Sequence, residues 1–499
     1  MASAPPFARV LVANRGEIAI RVIRACRELG ISPIAVHSDA DAAAMHVRAA
    51  DHSERIGPPA AAESYLSIKA ILHAARRSGA EAIHPCYGFL SENAVFASAV
   101  ESAGLVFIGP PASALEALGN KLAARRSAAA AGVPIVPGTT VALQEDTSAV
   151  AEIGLPVMLK AAAGGGGRGM RRVDRMEDLP EAIAAARREA AAAFGDGTIY
   201  VERLVSPARH VEVPLLGDRH GGLAVLGERD CSVQRRHQKL VEESPSPAID
   251  EAAREALFES ARRVAGTVDF HNAATVEFLV GEDGSHYFLE MNTRLQVEHG
   301  VTELVTGLDL VAWQIRVAAG ERLPSEVIDA PRHGHAIEVR IYAEDPYDGF
   351  RPTSGRVLAW RMPEGPGVRV DGGMEADTDL RTEYDPLLAK LMVHADDRPA
   401  AVARLRRALD ETLIGGLQTD AGFLRWLVDE PAFVAGDYDT GFIERAWGRG
   451  PALTAEERSM VASAAVAARE ASSGLPGRMV ARRSTSAWAQ MARREALRR

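Results

Sequence analysis

Apolar residues at the start of the chain alternate between two rhythms. The run Val10–Val12 is followed by Ile18, Ile20, Val22, Ile23, Cys26 and Leu29 at helical spacing, which predicts strand, turn and helix. Gly30 is a natural helix stop, and "SPIAVHS" predicts the next strand. A helix over 66–78, the strand "AEAIHP", a helix over 91–103 and the strand "GLVFIG" continue the alternation. Strands separated by helices predict a doubly wound parallel sheet for residues 1–118. No G-x-G-x-x-G follows the first strand, so a dinucleotide is not indicated.

The rhythm changes near residue 119. An Ala-rich helix (120–131) leads into a small unit over roughly 136–204, made of the strand "PVMLKA", a glycine run, the helix "LPEAIAAARREAAAAF" and the strand "TIYVERL". Strand-like runs at 209–216, 222–227 and 274–291 predict an antiparallel sheet completing a central unit, 119–335. Beyond 336, "HAIEVRIYAED", "RVLAWRM" and "LAKLMVHA" precede a helix over 399–412, predicting a mixed α/β unit to about 446. Residues 447–499 are rich in Ala and Arg and hold two helix-like pieces, about 454–471 and 485–497.

Composition narrows the partners. A net charge of −10 and only 5% aromatic residues argue against nucleic acid and anionic membranes. The start "MASAPPFAR" lacks a signal-peptide pattern, and no apolar run reaches the ~18 residues of a membrane span. Cys26, Cys86 and Cys231 lie far apart with no disulfide or metal spacing, and a cytoplasmic location is expected.

Two segments carry chemistry. In "KAAAGGGGRGM" (160–170), four glycines lie between an apolar strand ending in Lys160 and the basic residues Arg168, Arg171 and Arg172. A surface linker is one reading. Glycines that let backbone N–H groups approach a ligand, flanked by cations, favour a cover over phosphates. No Gly-Lys-Ser/Thr follows, so this is not a P-loop.

The second segment is "ATVEFLVGEDGSHYFLEMNTRLQVEH". Asp283-Gly284 predicts a two-residue hairpin turn, and counting outward sets Glu282 against Ser285, Val280 against Tyr287 and Glu277 against Glu290. Opposed carboxylates repel. With Asn292 on the same face, they either form a solvated patch or hold a hard cation, Mg²⁺ or Mn²⁺; the convergence favours the cation. If the chain stays extended, Arg294, Gln296 and Glu298 continue that face, with Leu295 and Val297 pointing away. Such a set makes a pocket for a small oxyanion with Glu298 as base, unless Arg294 neutralises Glu298 in an ion pair.

With these motifs in order, "ANRGEIA", "HPCYGFLSEN", "GGGGRGM", "ERDCSVQRRHQK", "EMNTRLQVEH" and "RIYAEDP", the chain from about 8 to 446 resembles the biotin carboxylases, the ATP-grasp components of acyl-CoA carboxylases such as acetyl-CoA carboxylase. The resemblance implies a Rossmann-like N-terminal domain, an ATP-grasp domain with a mobile lid, and a biotin carboxylase C-terminal domain. It implies ATP-dependent, ADP-forming carboxylation of biotin through carboxyphosphate. Lys121 and Lys160 match the phosphate lysines, and Gly165, Gly166, Gly167 and Gly169 the lid. Glu202, Arg203 and Leu204 match the adenine strand, His210 a phosphate-side histidine, and Gln234 and His237 the ribose contacts. Glu277, Glu290 and Asn292 match the metal ligands, the two carboxylates also facing ATP. Lys239, Arg294, Gln296, Val297 and Glu298 match the bicarbonate pocket, with Glu298 as general base. Arg340 matches the residue that steadies the biotin enolate, and Tyr87 lies in a matching biotin-side motif.

The resemblance also implies partners: a separate biotin carboxyl carrier protein, a carboxyltransferase subunit and a homodimer within a larger complex. The chain has no Met-Lys pair at which biotin is normally attached, so the carrier is expected on another polypeptide. The tail after Gly450 holds nine arginines against four glutamates. It is either a disordered basic end or, with Trp488, Met491 and Leu497 as an apolar stripe, a docking segment for a partner subunit.

Four positions depart from the family pattern: Cys86 replaces a Gly, Gly300 a Pro and Arg203 a Lys, and "YDPLLAK" (384–390) differs from Tyr-Asp-Ser-Met. Cys26, His84 and His299 read as core residues and Cys231 as a buried structural thiol. Arg235 and Arg236 stay open between phosphate binding and ion pairing. Another acyl-phosphate-forming ATP-grasp ligase, or a non-catalytic nucleotide-binding scaffold, are the rival functions. The first should lack "RLQVEH" with Lys239 and Arg340, and the second should have lost metal or phosphate residues.

Overall fold

The computed structural model describes residues 5–139, 143, 148–162, 170–381 and 383–447. The glycine run and the tail, with the roles expected of them, lie outside these residues.

Five strands, β1 (Arg9–Val12), β2 (Ser32–Ser38), β3 (His52–Gly57), β4 (Ala82–His84) and β5 (Val106–Phe107), form a parallel sheet in the order β3-β2-β1-β4-β5. The helices Gly16–Glu28, Ile68–Ser78 and Ala94–Ser102 lie among its connections. The two-residue period of the strands builds two cores at once. Val10 and Val12 join Ile18, Val22 and Ile23 on one face, while Leu11 joins Ile34, Ile83 and Phe96 on the other. The strand β3 has no counterpart among the expected elements. Its sequence "HSERIG" lies at the sheet edge with its first four residues at least partly exposed, so it lacks the apolar run of a buried parallel strand.

A small antiparallel sheet follows, β6 (Val157–Ala161), β7 (Arg171–Val173) and β8 (Ile199–Arg203), in the order β7-β6-β8. The helix Leu179–Phe194 packs against it through Leu179, Ile183, Ala186 and Ala190.

The largest sheet has nine strands. They are β9 (Ala208–Gly217), β10 (Leu223–Val225), β11 (Arg229–Arg235), β12 (Gln238–Ser244), β13 (Asn272–Gly281), β14 (His286–Asn292), β15 (His335–Tyr342), Val368–Gly372 and Leu387–Ala395. The order is β14-β13-β9-β11-β12-β15, then Leu387–Ala395 and Val368–Gly372, with β10 paired to β9. The sheet therefore runs through residues 335 and 336, because β12 pairs antiparallel with β15.

Alternation sorts this sheet into an oily face and a charged one. Val211, Val213, Val276 and Phe278 meet the helix Glu251–Ala265, and Ile337, Val339 and Ile341 meet the helix Arg398–Glu411. The intervening residues, His210, Glu212, Glu277, Glu338 and Arg340, occupy the other face. β11 and β12 are also absent from the expected elements. β11 is buried on both sides, and Arg229, Asp230, Ser232 and Gln234 among its buried residues leave only Cys231 and Val233 as apolar positions, too few to read as a strand. Among the described residues, no helix is long and apolar enough to cross a membrane.

Candidate functional site

The hairpin β13–β14 sets Glu277 opposite Glu290, but not by the expected turn. The connection is three residues long: Gly281 N–H donates to Ser285 O (2.8 Å) and Gly284 takes φ +77°. Val280 therefore faces His286 rather than Tyr287, and Gly281 rather than Glu282 meets Ser285. A bulge then inserts Leu289 between Phe288 and Glu290 and restores the register at the carboxylates. Two departures of one residue cancel where the chemistry lies.

Glu277 accepts from His210 Nε2 (2.8 Å), Lys239 Nζ (3.1 Å), Asn292 Nδ2 (2.8 Å) and Gln296 Nε2 (3.0 Å). Burial opposes its charge, but Lys239 and His210 outweigh it and hold the carboxyl well below its ordinary pKa. Glu290 accepts from Lys121 at 2.5 Å. Lys121 opens the helix Lys121–Ala130, which Asn120 caps through the Ala123 N–H (3.0 Å). Two facing carboxylates and a carboxamide form an all-oxygen donor set that fits a hard divalent cation. His210, Glu212 and Glu277 also bring ligand atoms within 4.8 Å of one another.

Lys160 leaves β6 and meets Glu202 of β8 at 2.5 Å; Glu202 also binds Arg125, so its carboxylate is enclosed by two cations. Arg203 is exposed, and the Leu204 N–H donates to Pro156 O (2.9 Å), so that amide is already engaged. Gln234 is buried in β11. His237 sits in the β11–β12 turn, where Arg236 and His237 have φ +48° and +65° without a glycine. Gly165, Gly166, Gly167 and Gly169 lie among the residues not described.

Beyond Asn292 the chain does not stay extended. It turns, and Glu298 is the residue immediately before the helix His299–Thr306. The turn still gathers the expected groups, and Leu295 points into the core. Glu298 is 0% exposed and is clasped by Lys239 (2.7 Å) and Arg340 (2.9 Å). Burial works against its charge, yet Lys239, Arg340 and Arg229 keep its pKa well below the ordinary range. Arg294 does not pair with Glu298: it binds Glu92 (2.8 Å) and Asn292 Oδ1 (3.1 Å). The half-buried Tyr87 donates its hydroxyl to Glu17.

Several groups around the site were not singled out from sequence. Glu212 receives Lys239 (2.6 Å) and Arg229 (2.5 Å), and Glu242 meets Arg340 at 2.6 Å. Glu92 is the next-to-last residue of "HPCYGFLSEN", and Glu212 lies two residues from His210 on one strand, a same-face spacing that could have marked it.

The departures have physical content. Cys86 holds φ +62° and is buried, its N–H donating to His84 Nδ1 (3.0 Å), so a non-glycine residue occupies a left-handed position at some strain. A Cβ on Gly300 would meet Met392 Sδ at 2.1 Å, so Met392 fills the place of a larger residue. Burial raises the Cys231 thiol well above its ordinary pKa and Cys26 to about 12, which leaves both unreactive as thiolates. His299 is buried, with Nδ1 2.8 Å from Gln296 O. Arg235 lies 4.3 Å over the Phe350 ring, a cation–π contact rather than a free phosphate ligand.

The chain matches three family models: the biotin carboxylase N-terminal domain over residues 6–115, the ATP binding domain of the carbamoyl-phosphate synthase L chain over 120–326, and the biotin carboxylase C-terminal domain over 338–445. It is 49% identical over 440 residues to a biotin carboxylase of Halalkalibacterium halodurans, covering 88% of this chain and 97% of that protein. It is 51% identical over 442 residues to the mitochondrial methylcrotonoyl-CoA carboxylase subunit alpha of Oryza sativa subsp. japonica, covering 88% of this chain and 60% of that one. Among solved structures it resembles a biotin carboxylase–β,γ-ATP complex from Campylobacter jejuni (TM-score 0.85, 44% identity, 88% of this chain and 99% of that one). It also resembles the biotin carboxylase domain dimer of Hydrogenobacter thermophilus 2-oxoglutarate carboxylase with MgADP, ADP and bicarbonate (TM-score 0.86, 43% identity, 90% and 99%).

Proposed function

This chain belongs to the biotin carboxylase family, and from that premise we propose how its residues divide the ATP- and bicarbonate-dependent carboxylation of biotin. The observation that carries the reading is the line Lys239–Glu298–Arg340, joined at 2.7 and 2.9 Å and set beside the facing pair Glu277 and Glu290.

Lys121 and Lys160 neutralise the ATP phosphates, the lid glycines cover them, and Gln234, His237 and the Glu202–Leu204 strand hold the nucleoside. Glu277, Glu290 and Asn292 would hold Mg²⁺ or Mn²⁺, which would neutralise phosphate charge there. Lys239, Arg294, Gln296 and Val297 take bicarbonate. Glu298 removes its proton as the oxygen attacks the γ-phosphate, giving carboxyphosphate and ADP. Carboxyphosphate breaks down to CO₂ and a basic phosphate; that phosphate takes the ureido N–H proton of biotin, and the nitrogen attacks the CO₂. Arg340 steadies the enolate of that ring, with Tyr87 beside it.

In the free protein Glu298 is fully ionised, the correct state for a base, yet its cations make it a weak one. Its basicity rises once Lys239 turns to bicarbonate and Arg340 to biotin. The resting ion pairs thus hold the base in check until both substrates are present.

In this proposal biotin arrives on a separate carrier protein, and a carboxyltransferase passes the carboxyl group to an acyl-CoA. The chain works as a dimer in the cytoplasm, although the rice relative is mitochondrial. The test is ADP release with and without bicarbonate and free biotin; release that needs neither overturns the reading. Arg340→Ala should retain most bicarbonate-dependent ATP cleavage while losing carboxybiotin. Equal loss of both removes the enolate role.

A further inference from the structure

The motif "YDPLLAK" ends in Lys390, a residue with no part in the scheme above. Lys390 lies in the strand Leu387–Ala395 and is 0% exposed. An ammonium at that depth must be met by acceptors and anions. Its Nζ donates to the Val297 carbonyl at 2.9 Å and lies 3.5 Å from Glu17 Oε2 and 3.8 Å from Asp371 Oδ2. Burial alone would lower its pKa; Glu17, Glu338 and Asp371 outweigh burial and keep it charged.

The placement is costly. Lys390 is the register partner of Arg340 on one side and of Asp371 on the other. Like charges directly opposite destabilise a sheet. Carboxylates separate the two cations, with Glu242 and Glu298 on Arg340 and Glu17 and Asp371 near Lys390. A purely structural contact here would be served as well by an apolar pair.

The Val297 carbonyl belongs to the turn between β14 and the helix His299–Thr306. Holding this oxygen fixes the peptide plane that joins Val297 to Glu298, and so the direction in which the Glu298 side chain leaves. On the far side, the other oxygen of Glu17 accepts the Tyr87 hydroxyl. One continuous line, Tyr87–Glu17–Lys390–Val297, connects the first domain to the turn carrying the base.

We propose that Lys390 is a positioning residue: its buried ammonium locks the Val297 carbonyl so that the 296–298 turn presents Gln296 and Glu298 to bicarbonate, and Glu17 ties that lock to Tyr87. The inference rests on the assignment of this turn to bicarbonate.

The experiment measures KM for bicarbonate and for MgATP separately, together with Tm, in Lys390→Met, Lys390→Arg and the double variant Lys390→Met/Glu17→Gln. A turn displaced by a fraction of an ångström should raise the bicarbonate KM of Lys390→Met about tenfold, with MgATP KM within about twofold. Lys390→Arg keeps the charge and should show the same selectivity in smaller measure. The double variant removes the stranded carboxylate, so it should regain Tm but not bicarbonate KM. Return of both together, or an equal rise in both KM values, overturns the proposal. If Lys390→Met does not fold, a normal bicarbonate KM in the other two variants overturns it. Near-normal turnover in Glu298→Gln would instead fault the base assignment, whatever Lys390 does.

Discussion

The two principal sheets bury their strands by opposite means. In the N-terminal sheet the inner strands carry Val10, Leu11, Val12, Ile34, Val36 and Ile83, all 0% exposed, and transfer of these side chains from water stabilises the fold. On the charged face of the nine-stranded sheet, Glu212, Glu242, Glu298 and Lys390 are also 0% exposed and Arg229 is 1% exposed. Each of these had to be stripped of water, and ion pairs recover that cost only in part. The oily face of the same sheet carries the stability; the charged face keeps ions where the proposed scheme handles a phosphate, a bicarbonate and a proton. Buried charge here marks chemistry, and buried hydrocarbon marks scaffold.

The comparison is tested hardest at the base. Glu298→Gln should retain MgATP binding and lose biotin-dependent turnover by ~10² to 10⁴; near-normal turnover would mean that its burial serves structure only. Next comes Arg229→Met, which strands Glu212 without one of its two cations and should cost ~3–5 kcal/mol in denaturant unfolding. Adding Glu212→Leu should recover most of that loss while activity stays low. If the double variant is no more stable than the single one, the charged face is scaffold after all. In the other sheet, Leu11→Ala should cost ~2–5 kcal/mol with no specific effect on bicarbonate or ATP KM.

The smallest effect concerns Glu242, whose carboxyl is raised from 4.5 to about 7, chiefly by burial and further by Glu298, against Arg340. Between these values the folded protein binds the extra proton, so Glu242 makes stability fall as pH rises from 4.5 to about 7; above that the slope vanishes and the loss remains. Glu242→Gln should remove this slope, so the variant gains relative to the parent between pH 5 and pH 7.5. The gain is on the order of 1 kcal/mol, because Glu338, directly opposite, is itself pushed well above the carboxylate range by burial and the two groups titrate as a pair. A Tm difference that does not change with pH would refute it.

What could be read in advance follows the same division. The strand Ser32–Ser38 and the helix Leu179–Phe194 match their sequence-based spans end to end, because apolar periodicity marks them. β11 and β12 hid in "RDCSVQRRHQKLVEES", where buried polar residues are mixed with the buried apolar Cys231, Val233, Leu240 and Val241 and no clear period shows. The hairpin register at Glu277 was legible only because the longer turn and the Leu289 bulge offset each other. The condition that the chain stay extended past Asn292 is not met, since a period of two says nothing about where a strand stops. Glu242, Glu17 and Lys390 were invisible because their partners lie 98, 373 and 93 residues away, at Arg340, Lys390 and Val297. Pairing across such separations is a property of topology.

The unbroken path from β12 to β15 sets a rule for anyone dividing this polypeptide. Severing the chain in the loop before His335 would bare two raw strand margins, each a row of unanswered amides and carbonyls prone to stick to other molecules. Neither fragment would be whole on its own, for Glu298 would leave with one and Arg340 with the other. Co-expressed, the two should knit along that seam, and carboxylation would return only as the seam closed, making the enzyme a split reporter of its own reassembly.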